Sequence, residues 1–140
     1  MTRDYNKTVG SLIDKQKTAF IASVDEEGFP IVKAMNAPRK REGIKTFYFS
    51  TNTFSKAVAA FRENPKASIY FYDRHFFRSV LLKGTMNVLE DKKSKELIWE
   101  NGDTAYYYKG VEDPDYCVLK FTAGSGRMYQ KLASEDFLIE

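Results

Sequence analysis

The short spacing of its apolar runs limits this chain more than any other feature. Strand-like runs centred on Phe20, Ile31, Phe47, Ile69 and Leu82 follow one another closely. A parallel pair needs a crossover of about a dozen residues or more, usually a helix, and most of these gaps leave too little chain for one. The strands must therefore return antiparallel. Residues 18–24 (TAFIASV) read as a first strand, 25–28 (DEEG) as an acidic turn, and 29–37 as the return strand. Residues 45–50, 67–72 (ASIYFY) and 78–90 (RSVLLKGTMNVLE) supply three more. A last strand, over 116–121 and 126–132, reads as interrupted near 122–125. Gly84, in the middle of the longest run, predicts a bulge or a close backbone approach.

Helical spacing fills the gaps. Tyr5, Val9, Leu12 and Ile13 share one face of a helix over 5–16, and Phe54, Val58 and Phe61 one face near 55–63. Asp91 can cap a helix reaching Trp99, and 104–109 reads as a further short helix. Pro38 to Gly43, with Arg39, Lys40 and Arg41, reads as an exposed connection with solvated cations. The expected fold is mainly β with helices (α+β): an antiparallel six-stranded split β-barrel with peripheral helices, one domain over residues 1–140.

Residues 44–65 hold the chemistry. A buried strand runs into Ser50, Thr51, Asn52 and Thr53, then into a helix that begins near Ser55 and Lys56 and stops at Asn64-Pro65. The first turn of a helix presents unpaired N–H groups and favours an anion. Hydroxyls of Thr51, Thr53 and Ser55 and the charge of Lys56 would complete a phosphate cradle. The same residues also make an ordinary N-cap followed by a solvated lysine.

Other chemistries lack their residues. No Gly-rich loop leads into Lys-Ser/Thr, no histidine pair has metal spacing, and no Gly-x-Ser-x-Gly elbow exists. His75 is the single histidine and reads as a surface or packing residue. Cys117 is the single cysteine, which excludes an internal disulfide and reads as a buried, inert thiol. The net charge of +3 is too modest to demand a nucleic acid, and no apolar run approaches a membrane span. Cytoplasm is the expected location. Aromatics at 15% exceed what such a core needs, which puts some rings at a pocket or an interface.

With those residues in view, the chain resembles the pyridoxamine 5′-phosphate oxidase-like family of FMN-binding split barrels, in its general stress protein branch. The resemblance rests on Ala19-Phe20-Ile21-Ala22-Ser23-Val24, Gly28-Phe29-Pro30, Lys33-Ala34-Met35, Phe49-Ser50-Thr51, Ser55-Lys56, Asn64-Pro65 and Gly84-Thr85. The late Gly110-Val111-x-Asp113-Pro114-Asp115-Tyr116 completes it.

The resemblance implies FMN held at a homodimer interface and a redox reaction on a small substrate. Lys33, Ser55 and Lys56 would bind the phosphate, and Ser50 and Thr51 would lie along the ribityl chain. The backbone of Lys33, Ala34 and Met35 would edge the isoalloxazine, and Ser79 would face it from the next strand. True oxidases of the family carry Arg-Lys where this chain has Ser55-Lys56, and a C-terminal Arg/His segment where it has KLASEDFLIE. Flavin binding is therefore expected without pyridoxamine phosphate oxidation. The alternatives are the same barrel holding haem or a deazaflavin, or a binding barrel for single-stranded nucleic acid.

Overall fold

In the computed structural model, residues 4–140 are described. Among them, strands β1 (Thr18–Val24), β2 (Pro30–Asn36), β3 (Lys40–Glu42), β4 (Thr46–Asn52), β5 (Lys66–Asp73), β6 (Arg78–Leu89), β7 (Tyr116–Gln130) and β8 (Ala133–Leu138) form one eight-stranded sheet. Helices α1 (Tyr5–Asp14), α2 (Lys56–Glu63) and α3 (Lys92–Ile98) and two 3₁₀ turns, Asn101–Ala105 and Gly110–Glu112, lie between them. Every pairing is antiparallel, in the order β2-β1-β5-β6-β7-β4-β3, with β8 added on β7. The sheet does not close on itself: β2 and β3 are its two ends.

The six expected strands are present, and two more join them. One is β3, three residues within the basic stretch first read as a solvated loop. It cannot be solvated as a whole, because two of its cations are committed. Arg39 is bound to Asp103, and Arg41 pairs with Asp14 at 2.7 Å while its guanidinium lies against Gly10 of α1. The other addition is β8, which turns back after Lys131 at φ 56. Phe137 is its buried anchor, stacked on Tyr5 at 4.2 Å between ring centroids.

The expected interruption of the last strand is a correction of a different kind. β7 runs unbroken over 15 residues. Lys83 pairs with Ser125 but Gly84 pairs with Ala123, so Gly124 is the extra residue of a bulge. The stretch read as a break is a bulge within one strand. Gly84 itself sits against the β7 backbone, where a Cβ would overlap the Thr122 carbonyl.

The main core gathers Val9, Leu12 and Ile13 of α1, Phe47 and Phe49 of β4, and Val58 and Phe61 of α2, among others. Phe54, expected on the same face as Val58 and Phe61, is 79% exposed. It precedes the Ser55 cap and so never enters the helical register. Cys117 is buried in this core, and burial pushes its thiol pKa up, which suits an inert role. A second cluster of Tyr48, Ile98, Tyr116 and Val118 seats α3 and the 3₁₀ turns on the outer face of β4 and β7. The segment expected as a helix over 104–109 is not α-helical.

Candidate functional site

An unclosed barrel leaves a gap between its ends, and here the gap is lined. A cleft of about 750 Å³ has Lys33, Ala34, Met35 and Asn36 of β2 on one wall and Ser50, Thr51 and Asn52 of β4 on the other. Arg39, Asp103, Tyr106, Tyr107 and Asp115 close its far end. That volume lies within the range of small-molecule sites. As the end strand, β2 is nearly all exposed, and its outer edge pairs with no other described strand.

A second, smaller hollow of about 350 Å³ adjoins the first. Lys33 lines both, and Lys56, the first residue of α2, lines only the second. Neither ammonium is engaged in an ion pair among the described residues. Two free cations thus flank the passage from the cleft to the start of α2.

Of the eight site residues expected from sequence, the structure brings six to these two hollows: Lys33, Ala34, Met35, Ser50, Thr51 and Lys56. Ser55 caps α2, its Oγ accepting from the Val58 N–H at 3.2 Å. That is the ordinary N-cap role, and it leaves the hydroxyl proton free to donate. Ser79 is buried in β6 opposite Tyr72 and Tyr129, and lines neither hollow. The Thr53 hydroxyl, expected at the mouth, is buried beside the Cys117 thiol, while its N–H donates to the Asp115 carbonyl at 2.7 Å. His75 is exposed on the β5–β6 loop, away from both hollows.

The far end of the cleft was not foreseen. Arg39 donates from both terminal nitrogens to the two Asp103 oxygens, at 2.9 and 2.7 Å, and also to the Ile98 carbonyl. Asp103 accepts the Glu100 N–H as well. The hydrogen bond from Arg39 holds the Asp103 carboxyl below its usual pKa despite burial, and the Arg39 pKa is raised in return. Behind this pair, Tyr107 and Tyr116 lie 5.1 Å apart between centroids. Burial is the main cause that pushes both phenols up to about 12. The three tyrosines at 106–108 read in the sequence as part of a short helix, not as a cleft wall. Nothing there indicated that Arg39 would cross to Asp103.

The residues at 6–130 match the family model described as Pyridoxamine 5′-phosphate oxidase. Among solved structures, a Clostridium acetobutylicum protein related to general stress protein 26 of B. subtilis superposes with a TM-score of 0.89. It is 35% identical, covering 99% of this chain and 97% of the other. General stress protein 26 of Bacillus anthracis str. Sterne has the same fold at TM-score 0.79 and 18% identity, covering 98% of this chain and 100% of its own. A haem-binding protein of Mycobacterium smegmatis shares the fold at 0.78 and 13% identity, over 99% of this chain and 59% of its own. No curated protein matches. On a family match over most of its length and a near-complete solved relative, this chain belongs to the pyridoxamine 5′-phosphate oxidase family.

Proposed function

We propose that the protein is an FMN-binding flavoprotein, one domain over its 140 residues, that acts as an oxidoreductase on a small substrate. One observation carries this reading: Lys33 borders both the large cleft and the hollow at the start of α2, so one elongated anionic ligand can span them. Lys33, Lys56 and the Ser55 hydroxyl take the phosphate. Ser50 and Thr51 follow the ribityl chain, and the free backbone edge of Lys33 to Met35 meets the ring. Bound there, a flavin supplies hydride and electron transfer. Pyridoxamine phosphate oxidation is not part of the proposal, since Ser55 stands where the resemblance puts arginine in those oxidases.

FMN fluorescence should be quenched on addition of the protein, and the purified protein should be yellow if it retains the cofactor. Lys56→Ala should weaken FMN by about 2 kcal/mol, roughly thirtyfold. An unchanged dissociation constant would remove Lys56 from the site. The haem alternative has the fold of the M. smegmatis protein behind it. The one histidine, His75, lies outside the cleft, so haem would have to find another ligand. Absorption spectra separate the flavin, deazaflavin and haem readings.

A homodimer belongs to the same proposal. The outer face of β1, β5 and β6 has a shallow apolar hollow bordered by Phe20, Val32, Tyr70, Tyr72 and Leu81. A contiguous apolar face of this kind marks an association surface. Ser79, 4% exposed and lining neither hollow, contributes nothing to this proposal. Sedimentation at micromolar concentration should give twice the chain mass; a strict monomer would refute the dimer.

A further inference from the structure

Strand β1 contributes none of the eight residues expected at the site, yet its inner face ends on a polar side chain. Ala19, Ile21 and Ser23 are the buried positions of this strand. The first two belong to the main core. Ser23 is 6% exposed, and its hydroxyl makes no hydrogen bond among the described residues. A buried hydroxyl without a protein partner forfeits its hydration, so such groups are uncommon except where a ligand or water meets them.

The surroundings of Ser23 say which kind of ligand. It lines the hollow at the start of α2 together with Lys33 of β2 and Lys56. Neither lysine has an ion-pair partner among the described residues. Asp25 is the one carboxylate lining the hollow. Its Oδ1 is spent on the β1–β2 turn, where it accepts the N–H groups of Glu27 and Phe29 at 3.0 and 2.8 Å. Two ammoniums against one carboxylate favour an anion, and the first turn of the eight-residue α2 adds its dipole. Three elements thus bring an unpaired hydroxyl, two cations and a helix start to one hollow.

We propose that Ser23 is a further ligand of the cofactor's anionic end, its hydroxyl donating to a phosphate oxygen that Lys33 and Lys56 hold by charge. An ammonium on a flexible stem is a mobile point charge, whereas a hydroxyl on a buried strand donates from a fixed place. Ser23 therefore orients the phosphate and helps the site select a phosphate-bearing flavin over bare riboflavin. This rests on the flavin reading for the identity of the ligand, but not for the preference of the hollow for phosphate.

The test titrates FMN and riboflavin into the full chain and follows flavin fluorescence, for the parent and for Ser23→Ala. The variant should bind FMN about tenfold more weakly, the loss of one charge-assisted hydrogen bond, and riboflavin as before. Its ligand-free melting midpoint should not fall, because the hydroxyl removed has no partner in the protein. Equal FMN affinity in the two proteins, or a loss shared by riboflavin as a merely structural hydroxyl would give, overturns the proposal. A parent that does not bind FMN refutes the flavin reading separately. Ser23 is then judged on inorganic phosphate, which should raise the melting midpoint of the parent more than that of Ser23→Ala, and equal responses overturn the proposal.

Discussion

Replacing Arg39 with alanine is expected to lower the unfolding free energy by about 3–5 kcal/mol, the cost of stranding one partner of a buried ion pair. Asp103 is 4% exposed and receives both Arg39 nitrogens. Without them its charge faces the second cluster of Ile98 and Tyr116 with only the Glu100 N–H left as a donor. Urea denaturation measures the loss. Arg39→Lys should recover only part of it, because an ammonium cannot make the fork. The double variant Arg39→Ala/Asp103→Ala should be more stable than Arg39→Ala alone, since the buried charge is gone. A loss under about 1 kcal/mol for Arg39→Ala would mean that water reaches Asp103.

The acid limb follows with a definite sign. Asp103 has a folded pKa below its ordinary value, chiefly through the Arg39 hydrogen bond. Its contribution is therefore complete above the unfolded value, about 3.9, and is lost as pH falls through the lower folded value. In Arg39→Ala the largest lowering cause is gone while burial and the Glu100 N–H remain, so the acid loss should begin at higher pH than in the parent.

Gly84→Ala should be the most damaging single methyl in the sheet. The added Cβ would overlap the carbonyl of Thr122 and crowd the Ala123 Cα, both backbone, so no side chain can step aside. Overpacking of this kind costs about 3 kcal/mol, which for a chain of this size moves the melting midpoint by roughly 10 °C. Gly102→Ala is the control, with no atom near its Cβ and no positive φ. Equal melting of the two variants would show that β6 and β7 are farther apart than their pairing requires.

Much of the fold was legible because it is periodic. The runs 18–24 and 67–72 are strands β1 and β5, and their burial alternates as the two faces of a strand require. Asp91 and Ser55 cap the helices they were expected to cap. β8 was hidden because Phe137 is its sole buried residue and its turn lacks the Asn-Gly or Asp-Gly pair that usually announces a hairpin. In the last strand residues 122–125 read as a break, and only the pairing with β6 shows Gly124 as the extra residue of a bulge.

The site divides in the same way. Thr51 and Lys56 could be proposed from sequence because they follow a strand and open a helix that local patterning reveals, whereas Lys33 and Ser50 came from the family resemblance. Arg39 and Asp103 could not, since their roles depend on which distant carboxylates meet a cation and which do not. Hence the residues alone determined an antiparallel, helix-decorated sheet and one side of a cleft, both consequences of local period and turn chemistry. Tertiary structure alone decided that the sheet stays open between β2 and β3, and that the far wall carries a neutralised pair. Charge pairing between segments far apart in the chain has no period to read, only a geometry.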